Sequence, residues 1–215
     1  YPFALAAAAL VTAPALAEVQ IGKPAPNFKA NDVNGRVVSL SDFRGKTVVL
    51  EWNNPECPFV RKHYSSGNMQ KTQAAATKEG VVWLTINSSA PGKQGHVDGV
   101  KAKSMIATQK AQPTAYLLDP QGKLGNGYGA KTTPHMYIIN PRGTLVYMGG
   151  IDDKPSPNPA DINGARNHVL TALSELKAGK PVSVATSRPY GCAVKYKDSW
   201  AAGHQEGRLL PLPQA

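Results

Sequence analysis

The stretch Thr47-Val-Val-Leu-Glu-Trp-Asn-Asn-Pro-Glu-Cys57-Pro-Phe-Val-Arg-Lys-His63 constrains this chain more than any other. Thr47 to Trp52 is β-branched and apolar, the composition of a buried central strand. Asn53, Asn54 and Pro55 are turn residues that end it. Pro58 fits the first position of a helix, where the missing N–H costs nothing. Cys57 is therefore expected at the helix N-cap, beside unpaired backbone donors and the positive end of the helix dipole. Both favour a thiolate over a thiol. Arg61, one turn on, and Lys62 add positive charge. The pattern predicts a strand, a turn and a reactive cysteine at the mouth of a helix.

The 215 residues suffice for one domain with a sizeable core. A net charge of +10 is spread as pairs and triplets, with no basic run interleaved with aromatics. That argues against a nucleic-acid footprint and for an ordinary basic protein. Residues 1–17 read as the end of a signal peptide whose start is missing. Phe3 to Val11 is an apolar run, and Ala15-Leu16-Ala17 fits a small-x-small cleavage site. The run is too short to span a bilayer, so no stable membrane insertion is expected after cleavage. A mature chain would begin near Glu18 and work in the periplasm or as a secreted protein.

Two cysteines, Cys57 and Cys192, lie far apart in sequence. An exported chain can keep disulfides. One reading is a permanent staple that ties the tail to the body. The other is an attacking thiol with a distant resolving thiol.

Phe28 to Leu40 reads as a hairpin turning at Asn34-Gly35. Helical composition runs from Phe59 to Glu79, with Gly67 splitting it. Val81 to Asn87 and Thr114 to Asp119 are further strands, separated by a modest helix over Val100–Lys110. Gly122 to Gly129 reads as a glycine-rich connection. Thr132 to Asn140 and Thr144 to Met148 form a second hairpin. Asp161 is placed as the cap of a last helix carrying Ile162, Ala165, Val169, Leu173 and Leu176 at helical spacing. Residues 182–215 form a tail without periodicity. This order predicts an α/β domain over 18–181, with a mixed sheet and helices on both faces.

Three features in sequence resemble the thioredoxin-like superfamily, within the redoxin, or alkyl hydroperoxide reductase/thiol-specific antioxidant (AhpC/TSA), group. They are the lead-in Ile21 to Phe28 with Val38 to Lys46, the strand–Cys57–helix element, and Thr132-Thr133-Pro134 opening a strand. The resemblance covers about residues 20–178. It implies a thioredoxin-like three-layer sandwich with Pro134 in the cis form. Thr133 would then offer its backbone to an extended substrate. It also implies a thiol-based oxidoreductase acting on a peroxide or a protein disulfide and re-reduced by an unidentified thiol donor; no cofactor or metal is expected. Two departures stand out. Thioredoxin-type reductases carry Cys-x-x-Cys, and here the second position is Val60. Typical peroxiredoxins carry proline seven and threonine three residues before the attacking cysteine, where this chain has Leu50 and Asn54.

The residues expected to carry chemistry are Cys57 as nucleophile and Cys192 as resolving thiol, supported by Thr133, Pro134 and Arg61. His135 is read as a core or solvent histidine, because alternate residues of a strand face opposite ways. His63 falls off the Cys57 face of its helix. Cys57, His63, His96 and His135 lack a chelating spacing. A non-catalytic thioredoxin-fold module, with a structural Cys57–Cys192 disulfide and a peptide-binding groove, is the alternative from another class.

Overall fold

Val48 to Trp52 forms a strand in which every residue is buried, and the rest of the sheet is laid out around it. The computed structural model describes residues 19–198. The signal segment read at 1–17 and the end of the tail at 199–215 fall outside the described residues. The strands are β1 (Lys29–Asp32), β2 (Val37–Ser39), β3 (Val48–Trp52), β4 (Val82–Asn87), β5 (Ala115–Leu118), β6 (Thr132–Thr133), β7 (His135–Ile139), β8 (Leu145–Gly149) and β9 (Cys192–Ala193). The helices are α1 (Pro58–Ser65), α2 (Asn68–Lys78), α3 (Gly99–Gln109), α4 (Lys123–Gly127) and α5 (His168–Lys177).

Seven strands make one mixed sheet in the order β2-β1-β5-β4-β3-β7-β8, and β6 pairs with β9 in a separate ribbon. β3, β4 and β5 are parallel neighbours, while β7, β8 and the β1–β2 hairpin run antiparallel. Period-two alternation sends Val48, Leu50 and Trp52 to one face and Val49 and Glu51 to the other. The first face packs with Leu84, Ile86, Leu117, Tyr128 and Tyr137. The second packs with Val60, Met69, Trp83, Met136 and Val169.

The two faces are covered unequally. α1, α2 and α5 lie over the Val49–Trp83 face, and α3 joins them through Ala102 against Tyr116. The other face is closed by the short α4, a 3-10 turn at Leu40–Phe43, and the lead-in residues Val19, Ile21 and Phe28.

Two local expectations need correction. Residues 123–127 form a short helix where a loop was expected, with Gly122 in the left-handed conformation at its N-cap. The buried Asp119 carboxylate also accepts the Leu124 and Gly125 N–H groups. The last helix starts at His168, not after Asp161. Asn167 caps it by accepting from the Leu170 N–H, at 3.0 Å. Ala165 is extended and Asn167 bridges Asp152, so a helix cannot run through them. Asp161 instead sits in a 3-10 turn at Pro159–Gly164. Gly67, at φ 76°, divides α1 from α2 as its sequence position predicts.

Candidate active site

Cys57 is the N-cap of α1, with Pro58 directly after it. The turn that delivers it is held by Asn54, whose side-chain oxygen accepts from the Glu56 N–H at 2.9 Å. Its own N–H donates to the Asn54 carbonyl. Leu50 and Asn54, which replace the peroxiredoxin residues, are both buried and structural. The Cys57 side chain is wholly buried on the α1/α2 face of the sheet.

Across the site, the Thr133–Pro134 peptide bond is cis. The Thr133 carbonyl oxygen lies 3.3 Å from Cys57 Sγ. The tail then returns over this point. β9 pairs antiparallel with β6, setting Thr133 opposite Cys192 and Thr132 opposite Ala193. The two sulfurs, 135 residues apart in sequence, come to 2.6 Å, and both are free thiols. Thus Cys57, Thr133, Pro134 and Cys192 meet at one place. Gly191 makes the approach possible. Its φ is 141°, and a Cβ there would lie 1.9 Å from the Thr133 oxygen.

The pair ionises unequally. Burial pushes the Cys57 thiol up. The Cys192 thiol, the Val60 and Cys192 backbone N–H groups and the Thr133 side chain outweigh it, and the net shift is downward. Cys192 is pushed up to about 11, first by burial and then by its bond to Cys57 and that neighbour's charge. Cys57 is therefore the first of the two to become a thiolate, with Cys192 holding the proton between them.

Arg61 does not join the site. It is exposed, and its Nε donates back to the Pro55 carbonyl at 3.2 Å. The acidity of Cys57 arises from hydrogen bonds and not from this cation. His135 is buried on the opposite face, 4.7 Å from the Tyr137 ring. Its Nδ1 accepts from the Lys131 N–H, and burial followed by the Lys131 charge lowers its pKa to about 4.

Two groups near the site were missed in the sequence. Glu51, six residues before Cys57, is fully buried and accepts from Asn53, Tyr64, Gln73, Trp83 and Thr85. Desolvation raises its pKa despite these donors. A carboxylate in the middle of an apolar strand was the available signal. The second group gathers Lys62, His63, Asp152 and Tyr190, all buried, around one phenolic hydroxyl. These residues are scattered through the sequence, and no local pattern joins them. Among the described residues no three His, Cys, Asp or Glu side chains cluster as a metal site.

The chain is similar to proteins of known kind. The model of the AhpC/TSA family matches residues 21–148. A thiol-disulfide oxidoreductase ResA of Bacillus thuringiensis is 26% identical over 125 residues, covering 50% of this chain and 68% of that protein. A ResA of Bacillus subtilis is 27% identical over 132 residues, covering 58% and 64%. Among solved structures, an uncharacterised conserved protein of Geobacillus kaustophilus superposes with a TM-score of 0.69 at 26% identity, covering 83% of this chain and 93% of that one. A protein assigned as a DsbE thiol:disulfide interchange protein of Chlorobium tepidum has a TM-score of 0.50 at 25% identity, covering 61% and 85%. With the thioredoxin-like sheet and the family match over more than half its length, this chain belongs to the AhpC/TSA family.

Proposed function

We propose that this protein is a thiol–disulfide oxidoreductase whose working pair is Cys57 and Cys192. The observation that carries the reading is the 2.6 Å approach of these two sulfurs, 135 residues apart in sequence, beside the Thr133 backbone. The relatives named thiol-disulfide oxidoreductases favour a protein disulfide over a peroxide as the substrate.

The reaction follows thiol–disulfide exchange. The Cys57 thiolate attacks one sulfur of a substrate disulfide, and the other sulfur leaves as a thiolate. Cys192 then gives up its proton and attacks Cys57 Sγ, releasing the second substrate sulfur. Two electrons pass to the substrate and a Cys57–Cys192 disulfide remains. A thiol donor returns the pair to the dithiol. Thr133 and Pro134 wall the reacting sulfur. Export to the periplasm or the medium rests on the composition of residues 1–17, and no helix among the described residues is long and apolar enough to cross a membrane.

The test uses Cys57→Ser and Cys192→Ser, with turnover of a model protein disulfide and of hydrogen peroxide. Cys57→Ser is expected to abolish disulfide reduction. Cys192→Ser is expected to stall as a mixed disulfide on Cys57. Fast peroxide consumption without disulfide reduction would move the protein to the peroxidases. If neither oxidant is consumed, the cysteines form a structural staple in a binding module.

A further inference from the structure

Resting on the reading of Cys192 as the resolving thiol, we propose that Tyr190 is a positioning residue, whose buried hydroxyl latches the tail and holds Cys192 at Cys57. The tail is held on both sides of Cys192. Beyond it the Val194 N–H donates to the Lys131 carbonyl, the Lys195 carbonyl accepts from the Ala90 N–H and the Tyr196 hydroxyl donates to the Ala130 carbonyl; before it stands Tyr190. From Val182 to Asp198, Tyr190 is the single buried residue. It lies two residues before Cys192, with only Gly191 between them.

Its hydroxyl donates to Asp152 Oδ1 at 2.6 Å. The same oxygen lies 3.1 Å from His63 Nε2 and 3.4 Å from Lys62 Nζ. The Asn68 amide nitrogen is 2.8 Å from His63 Nδ1, so Nδ1 accepts and Nε2 is left to donate to Tyr190. The result is a directed chain from Asn68 through His63 and Tyr190 to Asp152. The phenol receives as well as gives, and phenylalanine could do neither. The ring adds an edge contact to Phe59, 5.9 Å between centroids, and Phe59 follows Cys57 by two residues. One side chain thus ties the tail to α1, which carries Cys57, and to the loop after β8.

Beyond this anchor the backbone has one route. Gly191 passes the Thr133 oxygen too closely for any side chain, and β9 begins at Cys192. β9 is two residues long and shares its ladder only with the equally short β6. Such a ribbon does not hold itself together. With Val194 to Tyr196 fixing the far side, the local concentration of Cys192 at Cys57 depends on how firmly residue 190 fixes the near side.

The experiment separates attack from ring closure. The reduced protein is mixed with a chromogenic aromatic disulfide. The first equivalent of aromatic thiolate reports attack by a protein cysteine. The second reports closure, as the remaining cysteine displaces the mixed disulfide. Tyr190→Phe keeps the ring and loses the hydrogen bonds, and is expected to slow the second release roughly tenfold. The first release should stay within about twofold, and the Cys57–Cys192 equilibrium with glutathione should fall by the closure factor. Asp152→Asn, which exchanges the acceptor but leaves the phenol, should slow closure less. A closure rate equal to wild type in Tyr190→Phe, with only a lower melting temperature, would show a structural role and overturn the proposal. If the wild-type protein itself releases a single equivalent, no ring closes, and the proposal falls together with the redox-pair reading on which it rests.

Discussion

The two cysteines face each other from segments built in different ways. Cys57 is set by the core: a strand buried on both faces, an Asn54 turn, and a helix started by Pro58. Cys192 is set by a tail with one buried residue, a glycine that fits under a carbonyl, a two-residue ribbon, and single hydrogen bonds that tie Val194, Lys195 and Tyr196 to the body. The first arrangement resists change because many packed groups would have to move with it. The second depends on surface hydrogen bonds and short pairings, the kind of contact that opens at lower cost than a packed core. The difference matches the two tasks proposed for these cysteines. A nucleophile needs a fixed electrostatic setting, whereas a resolving thiol must leave room for a substrate and then return.

The largest expected effect comes from Gly191→Ala, which attacks the tail half alone. The new Cβ would meet the Thr133 oxygen at 1.9 Å, on a backbone with φ 141°. The β9 strand should leave Thr133, and closure of the Cys57–Cys192 disulfide should slow by about a hundredfold or more. Thiol counting after oxidation by a small disulfide checks this, with the melting temperature of the body changing little.

Glu51→Ala attacks the other half. Five donors lose their common acceptor beneath β3, and a loss of about 3–5 kcal/mol in urea unfolding is expected. The tail contacts should survive wherever the body stays folded.

An acid titration probes both halves together. His63, beside the tail latch, and His135, beneath the sheet, each have a pKa lowered to about 4, in both cases first by burial. Both lie below the ordinary value near 6.5, so the unfolded chain binds more protons between about pH 4 and 6.5. Stability should therefore rise with pH across that window and fall on acidification, by on the order of 3 kcal/mol per histidine at most. Melting temperatures from pH 7 down to 4 read this directly. Asn in place of His63 or His135 should each flatten part of the slope.

The smallest effect is expected from Arg61→Ala. Arg61 is exposed and turned back to Pro55. Alkylation of Cys57 as a function of pH should shift by less than about twofold in rate.

What could be read from the sequence divides along the same line as the two segments. Cys57 at a helix N-cap follows from residues within four positions of it, and turn chemistry and proline at the first helical position are local rules. The hairpins and the split at Gly67 were legible for the same reason. The antiparallel pairing of Cys192 with Thr133 was not, because a two-residue strand leaves no periodic signal and its partner lies 59 positions away. The Lys62–His63–Asp152–Tyr190 group was hidden likewise, because three separate segments meet in it. His63 lies off the Cys57 face of α1, and that other face is where Tyr190 of the tail returns. Asp161 misled as a cap because Asn167, with equal capping chemistry, stands six residues later, after the chain has bridged to Asp152.

The central claim is that these unlike segments form one redox pair, and equilibration of the protein in graded glutathione buffers tests it most directly. After acid quenching, alkylation and peptide mapping, the account predicts that the Cys57 and Cys192 thiols disappear together in a single two-electron transition, with a Cys57–Cys192 cross-linked peptide as the product. Independent loss of the two thiols, or glutathione carried on each without a cross-link, would contradict it.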